Sequence, residues 1–127
     1  MKKNYKILIG THNKGKYREI SQLISKKIKK TSPVFLRIKA PKETGKTFNS
    51  NSKLKANYFF RKSNLISISD DSGLEVSALN NKPGIFSARW SQKYGGFDKA
   101  MQIILKNISN KKNRRVRFIC SLSIRII

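Results

Sequence analysis

The sequence contains few of the residues on which several classes of protein depend. Its 127 residues include one cysteine, Cys120, so an intrachain disulfide framework and a multi-cysteine metal site are excluded. No apolar run approaches the roughly 18 residues that a membrane span needs, which excludes an integral membrane protein. The apolar stretch near the N-terminus is too short for a signal peptide. The expected location is therefore the cytoplasm, and the expected organisation is one domain over residues 1–127.

Acidic residues are scarce as well. Six Asp and Glu stand against 29 Lys and Arg, which gives a formal net charge of +23. One interpretation is a nucleic-acid-binding protein, in which lysines neutralise phosphates. The favoured interpretation is a coding bias. The chain has 21 Lys, 11 Asn and 16 Ile, which are the residues of an AT-rich genome, and its basic residues are scattered along the sequence. Whatever the origin of the charge, the positive electrostatic field of the protein attracts polyanions, including nucleotides.

The spacing of apolar residues predicts an α/β fold in which strands alternate with helices. Short apolar runs indicate strands, and apolar residues three and four apart indicate amphipathic helices. The predicted strands span residues 5–10, 34–38, 65–69, 74–78 and 116–127, and the predicted helices span residues 14–30, 48–63 and 99–108. Asn13 and Asp98 are expected to cap the first and third helices. Residues 40–47 are expected to form a polar loop, in which Pro41 and Gly45 favour turns.

A basic, glycine-containing segment joins the first strand to the first helix. Backbone N–H groups at a helix N-terminus carry partial positive charge and bind phosphate. Glycines let the backbone approach such a ligand closely, while the polar and lysine side chains add hydrogen bonds and charge. The segment consists of Gly10, Thr11, His12, Asn13, Lys14, Gly15 and Lys16. It lacks the spacing of a Walker A loop, and the simpler alternative is a capped turn that is basic because the whole protein is.

Half of the few acidic residues lie in one short segment. Asp70 and Asp71 follow a strand that is predicted to be buried. The residues after them include Ser72, Gly73 and Glu75. Carboxylates at the end of such a strand lie at the sheet edge where α/β proteins bind ligands. Oxygen ligands suit Mg²⁺, and a metal-bound carboxylate can orient and deprotonate a water. The alternative is an ordinary turn, because Asp-Ser-Gly favours turns.

Three further features have simpler interpretations. His12 is the only histidine, so we expect it to contact nucleotide or water rather than a transition metal. Cys120 lies in the apolar last strand and is expected to be buried. Phe86, Trp90 and Tyr94 either offer a stacking platform for a base or belong to the core, and the core is the favoured interpretation.

Taken together, the motifs resemble those of the inosine triphosphate pyrophosphatase family, enzymes that hydrolyse dITP, ITP and XTP. Each motif is weak alone, but four in the family's order across nearly the whole chain are specific. The four blocks are Thr11-His12-Asn13-Lys14-Gly15-Lys16 with Arg18-Glu19, Glu43-Thr44-Gly45-Lys46-Thr47-Phe48, Asp70-Asp71-Ser72-Gly73-Leu74-Glu75-Val76 and Pro83-Gly84-Ile85-Phe86-Ser87-Ala88-Arg89.

The resemblance implies a two-lobed α/β fold with a mixed sheet flanked by helices and a nucleotide cleft between the lobes, assembled as a homodimer. It implies Mg²⁺-dependent cleavage of purine nucleoside triphosphates between the α and β phosphates. By the same resemblance, Asp71 is the metal-binding proton acceptor, Ser72 contacts substrate and Lys55 faces the phosphates. The triphosphate-binding loop that it implies comprises Thr11, His12, Asn13, Lys14, Gly15 and Lys16.

Two departures from the family pattern bear on activity. Lys42 stands where relatives carry the first of two acids, which leaves only Glu43 and puts metal affinity in doubt. The family's later blocks, which select the purine base, are absent, so the resemblance implies a C-terminally truncated copy whose catalysis is impaired. The alternatives are a small basic nucleic-acid-binding protein and a non-catalytic remnant.

Overall fold

The computed structural model describes residues 5–126 and has the alternating strands and helices that the sequence predicts. Its strands are β1 (Lys6–Ile9), β2 (Lys29–Thr31), β3 (Ile66–Val76), β4 (Lys82–Pro83) and β5 (Val116–Arg125). Its helices are α1 (Lys14–Leu23), α2 (Phe48–Ser63), α3 (Ser87–Tyr94) and α4 (Phe97–Asn107). No helix in this part of the chain is long and apolar enough to span a membrane.

The sheet is mixed. β1 lies between β2 and β3 and is parallel to both, with Ile7 opposite Ile66 and Ile9 opposite Ile68. β4 is antiparallel to β3, with Glu75 opposite Pro83, and β5 also pairs with β3. A mixed α/β sheet flanked by helices, as predicted, is confirmed.

The chain divides into two compact units, each with its own apolar cluster. The first takes residues up to Asp71 and from Ser121 onward, and the second takes residues 72–120. In the first unit, the buried side chains of Ile9, Ile20 and Ile68 pack together, with Ile7, Tyr17 and Ile24 around them. In the second unit, Val76, Ile104 and Ile108 pack together, with Leu74, Ala78, Leu79 and Trp90 around them.

Local signals set the helix starts. Asn13 caps α1, because its side-chain oxygen accepts a hydrogen bond from Lys16 N–H at 3.1 Å, which confirms the predicted cap. Thr47 and Ser50 form a capping box at the start of α2, whose bounds match the prediction. The predicted cap at Asp98 is wrong, because Gly96 is the N-cap of α4. Asp98 lies in the first turn, where its negative charge interacts favourably with the helix dipole.

The region between α1 and α2 differs from the prediction. α1 ends at Leu23 rather than residue 30, because Ile24 is extended and the lysine-rich segment beyond it pairs with β1 as β2. The predicted strand at 34–38 is wrong. Residues 33–37 form turns closed by the Leu36 N–H to Ser32 carbonyl bond at 3.1 Å, and Arg37 has a φ of 56°. Local hydrogen bonds therefore replace strand pairing there.

Three further corrections concern the second half of the chain. The predicted strands at 65–69 and 74–78 are one strand, β3, so Asp70 and Asp71 do not form a turn. The prediction also missed α3. Cys120 is exposed rather than buried, because it projects from β5 on a solvent-facing side. The last residue of the predicted final strand, Ile127, lies outside the described residues.

Candidate functional site

The loop after β1 is held by a close approach of three elements. Gly10 N–H donates to the Ile68 carbonyl at 2.7 Å, and Ser69 Oγ donates to the Gly10 carbonyl at 2.9 Å. A Cβ at Gly10 would collide with Ser69 Oγ and the Phe59 ring, so only glycine fits. The chain therefore leaves β1 at a fixed point, next to the β3 segment that continues into Asp70.

The residues that follow form a short polar turn onto α1. Thr11 is buried, and its hydroxyl oxygen accepts a hydrogen bond from Asn13 N–H at 3.1 Å. His12 is exposed and hydrogen-bonds through Nε2 to the Ile38 carbonyl at 2.9 Å, so this nitrogen must be the protonated one. Asn13, Lys14 and Gly15 are exposed at the helix start, where N–H groups lack intrahelical acceptors.

A cavity of about 690 Å³ in the first unit lies beside this turn. Its lining includes Lys14 from the turn, Lys6 and Lys29 from the strands, and the aromatic rings of Tyr17 and Phe35. With Lys30, four lysines line this cavity, and their positive charge favours an anionic ligand. Lys14 thus lies where a polyanion can reach it.

Lys16 and Asp70 connect the turn to the acidic segment. Lys16 Nζ lies 3.0 Å from Asp70 Oδ2, and the carboxylate side chain is only 4% exposed. Because β1 ends opposite Ile68, Asp70 and Asp71 lie just beyond the parallel pairing, close to the start of α1. The sequence predicts the carboxylates at a sheet edge and the basic segment between the first strand and the first helix, and the structure shows the contact between them.

Asp71 is buried, and its surroundings shift the pKa of its carboxyl. Burial, the first cause, and the nearby Glu43 carboxylate raise the pKa of Asp71 above its ordinary value of 3.8. A hydrogen bond from Asn51 and the charges of Lys55 and Lys16 act in the opposite direction. One carboxylate oxygen, Oδ2, is buried and accepts no hydrogen bond from any residue within 5–126.

Lys55 and Glu43 form the second ion pair of this region. Lys55 Nζ lies 3.0 Å from Glu43 Oε1, and the lysine side chain is 12% exposed. The family resemblance implies that Lys55 faces phosphates, and in this structure Lys55 pairs with Glu43 beside Asp71. Ser72, the other predicted substrate contact, is half-buried in β3 as the first residue of the second unit.

Asn51 belongs to this site and was missed by the sequence analysis. Its side chain is 1% exposed, and its Oδ1 accepts a hydrogen bond from Gly45 N–H at 2.8 Å. The available signal was helical spacing, because Asn51 lies on the same buried stripe as Phe48, Ala56 and Phe59. A polar residue on such a stripe needs a polar partner, and that partner is found in the loop and in Asp71.

The carboxylate oxygens of this site suit a divalent cation whose remaining ligands are water and phosphate. Asp71 Oδ2 is a buried oxygen without a hydrogen-bond donor in the described chain, and the Glu43 carboxylate lies near it. Lys42, at the position of the expected first acid, is exposed, and the described residues contain no cluster of three acidic, His or Cys ligands. Mg²⁺ binds to one or two carboxylates and completes its shell with water and phosphate. The residues present therefore fit Mg²⁺ held jointly with a polyphosphate.

Comparisons with known proteins identify a family that this chain resembles over almost its whole length. The model of the Ham1 family matches residues 7–126. A dITP/XTP pyrophosphatase from Zymomonas mobilis is 37% identical over 123 residues, which are 94% of this chain and 59% of the relative. One from Haemophilus influenzae is 39% identical over 117 residues, or 90% of this chain and 60% of the relative.

Solved structures give the same picture. The Staphylococcus aureus Ham1 protein superposes with a TM-score of 0.80 at 32% identity, covering 96% of this chain and 64% of that protein. A HAM1 protein from Coxiella burnetii gives 0.79 at 27% identity, covering 94% and 62%. The chain thus spans about three fifths of the length of the relatives that it matches.

Proposed function

The chain belongs to the Ham1 family, and from this premise we propose that it acts as a nucleoside triphosphate pyrophosphatase. The proposed substrates are non-standard purine nucleotides, namely dITP, ITP and XTP, and the products are the monophosphate and pyrophosphate. The names of the relatives, dITP/XTP pyrophosphatases, support this choice. The family resemblance noted in the sequence is confirmed by the family match.

One observation carries the proposal: the Lys16–Asp70 ion pair at 3.0 Å joins a cationic helix N-terminus to a buried pair of carboxylates. Hydrolysis of a triphosphate needs both groups. Cations and backbone N–H groups stabilise the charge on the phosphates, and a carboxylate accepts a proton from water.

The phosphates are assigned to the turn at the start of α1. We propose that Asn13, Gly15 and the first N–H groups of α1 bind phosphate oxygens, with Lys14 and Lys16 supplying charge. Thr11 and His12 hold the shape of this turn through their bonds to Asn13 and Ile38. Substrate contacts by Thr11, His12, Lys55 and Ser72 stay predictions.

Asp71 is assigned the proton-transfer role. Its buried carboxylate would accept a proton from the water that attacks phosphorus, while pyrophosphate leaves. Burial and Glu43 raise its pKa, which makes it a stronger base than an ordinary Asp. Asp71 and Glu43 would hold Mg²⁺, which supplies positive charge to the phosphate oxygens and acidifies bound water. Assembly as a homodimer and a cytoplasmic location also stay proposals.

The test is pyrophosphate release from dITP, ITP, XTP and dGTP by this chain, with and without Mg²⁺. We expect Mg²⁺-dependent release, and a higher rate with the three non-standard nucleotides than with dGTP would show that the residues present select the base. Release from all four at one rate would remove the proposed base preference. No release from a chain that unfolds cooperatively would remove the proposed activity.

A further inference from the structure

A single buried amide connects the loop that carries Glu43 to Asp71. Asn51 Oδ1 accepts the Gly45 N–H at 2.8 Å, and the Asn51 side chain also interacts with Asp71, where it lowers the pKa of that carboxyl. Because Oδ1 is bonded to Gly45, the group that faces the Asp71 carboxylate is the Asn51 Nδ2 amide. The bond to Gly45 therefore sets the orientation of the amide.

The loop reaches Asn51 by an approach that permits no side chain. A Cβ at Gly45 would collide with Ser50 Oγ, in the turn of α2 that carries Asn51. Glu43 lies two residues before Gly45, and its carboxylate pairs with Lys55, one helical turn after Asn51. Two side chains of one helix face thus hold the loop at two points, its backbone at Gly45 and its carboxylate at Glu43.

Asn51 differs from Lys55 because it contacts both sides of the site. Lys55 holds the Glu43 carboxylate, whereas Asn51 holds the loop backbone and interacts with the Asp71 carboxyl. Asp71 Oδ2 is buried and has no donor among residues 5–126. Asn51 is therefore placed to align Asp71 with the loop that carries Glu43.

We propose that Asn51 is a positioning residue, which aligns the Glu43 loop and Asp71 as the paired oxygen donors for a divalent cation. The inference rests on the proposed function, since it gives that reaction's cation-binding carboxylates their geometry. It predicts that loss of the amide weakens cation binding and slows turnover, while substrate affinity, set by the turn at α1, changes little.

Two variants separate the two contacts of the amide. Asn51→Ala removes both bonds. Asn51→Asp has the same shape and keeps an acceptor for Gly45 N–H, but it cannot donate to Asp71 when ionised. Ser52→Ala is the matched control, because Ser52 is the next residue of α2, is equally buried and hydrogen-bonds to Asn49, Ser121 and Ser123 rather than to residues of the site.

The first readout is Mn²⁺ binding by the protein alone, followed by electron paramagnetic resonance. We expect Asn51→Ala to weaken Mn²⁺ binding by about tenfold or more, as for residues that orient metal ligands, while Ser52→Ala stays within about twofold. The second is hydrogen exchange at the Gly45 amide. We expect its protection to be lost in Asn51→Ala and kept in Asn51→Asp.

The third readout is steady-state pyrophosphate release from dITP. Both Asn51 variants are expected to lower kcat by about tenfold or more, with KM changed by less than about threefold. Should Asn51→Ala fail to fold, Asn51→Asp decides the matter through kcat. Mn²⁺ affinity and kcat equal to those of Ser52→Ala would overturn the inference. If wild-type protein releases no pyrophosphate, the proposed function fails, yet the Mn²⁺ comparison still decides the role of Asn51.

Discussion

Lys16 and Asp70 form an ion pair whose two members have different exposure. The Lys16 side chain is 32% exposed and that of Asp70 is 4% exposed, with 3.0 Å between Nζ and Oδ2. Lys16 comes from the turn that we assign to phosphate, and Asp70 precedes the proposed proton acceptor. A triphosphate in this turn would therefore share the Lys16 ammonium with Asp70.

Lys16→Met should lower both stability and triphosphate binding. The substitution leaves the Asp70 carboxylate buried without this cation, so we expect the free energy of unfolding to fall by about 1–3 kcal/mol. Lys14→Met, which changes an exposed lysine of the same turn, should alter it by less than about 0.5 kcal/mol. Both variants should raise KM for dITP. Urea unfolding and steady-state kinetics check this, and equal stability losses in the two variants would contradict it.

Asp71→Asn should abolish hydrolysis and keep the fold. Asparagine has nearly the same shape but cannot accept the proton from water, so turnover should fall by about 100-fold or more. Pyrophosphate release under saturating dITP and Mg²⁺ measures the effect, and a cooperative thermal transition shows that the variant is folded. Turnover near that of the wild type would remove Asp71 from the reaction.

The same substitution should raise stability near neutral pH. Burial and Glu43 raise the folded-state pKa of Asp71 above 3.8, so between 3.8 and that higher value the folded chain holds a proton that the unfolded chain has lost. Stability from this group is present below pH 3.8 and is lost as pH rises through the folded-state pKa. Asp71→Asn never ionises.

Its Tm should therefore exceed that of the wild type at pH 7, and the difference should close as the pH falls towards 3.8. Calorimetric scans of both proteins across this range provide the test. A difference of the opposite sign at pH 7 would show that Lys16, Lys55 and Asn51 stabilise the Asp71 carboxylate by more than its burial costs.

Features that depend on a few neighbouring residues were predictable from the sequence. The Asn13 cap and both bounds of α2 follow from local hydrogen bonds that the residue types dictate. The strand predicted at 34–38 is wrong: two of its apolar residues, Val34 and Phe35, are exposed in turns, with Phe35 76% exposed. β2 formed instead in the lysine-rich segment at 29–31, which pairs with β1, so tertiary pairing overrode local preference there.

The candidate site was predictable as two motifs but not as a network. The carboxylates and the basic turn could be singled out by residue type and by their places after strands. Their partners could not, because Lys16 and Asp70 are distant in the sequence and no periodicity links them. Asn51 shows the same limit: its place on a buried stripe signals a polar partner, but only the folded chain identifies Gly45 and Asp71.

Ser52→Ala should lower stability without affecting the site. Ser52 Oγ lies 2.6 Å from Ser123 Oγ and 3.1 Å from Ser121 Oγ, so one buried hydroxyl ties α2 to the end of β5. Its removal takes this partner from the Ser123 hydroxyl, while the Ser121 hydroxyl still donates to Asn49 Oδ1, and should cost about 1–2 kcal/mol. Urea unfolding measures the loss, and kcat should stay unchanged. A change in free energy below about 0.3 kcal/mol would show that water replaces the hydroxyl.

Gly10→Ala should be among the most damaging single substitutions in the first unit. The added methyl would overlap Ser69 Oγ and the Phe59 ring, both on fully buried side chains, so β1, α2 or β3 must move apart. Overpacking of this kind costs about 1–3 kcal/mol.

Gly15→Ala is the matched control, because its Cβ would meet only Asn13 Oδ1, at 3.3 Å, and alanine favours the helix by up to about 1 kcal/mol. Thermal unfolding of the two variants should therefore give a large fall in Tm for Gly10→Ala and a small change for Gly15→Ala. Equal Tm values would mean that the three elements are not packed as closely at Gly10 as the structure shows.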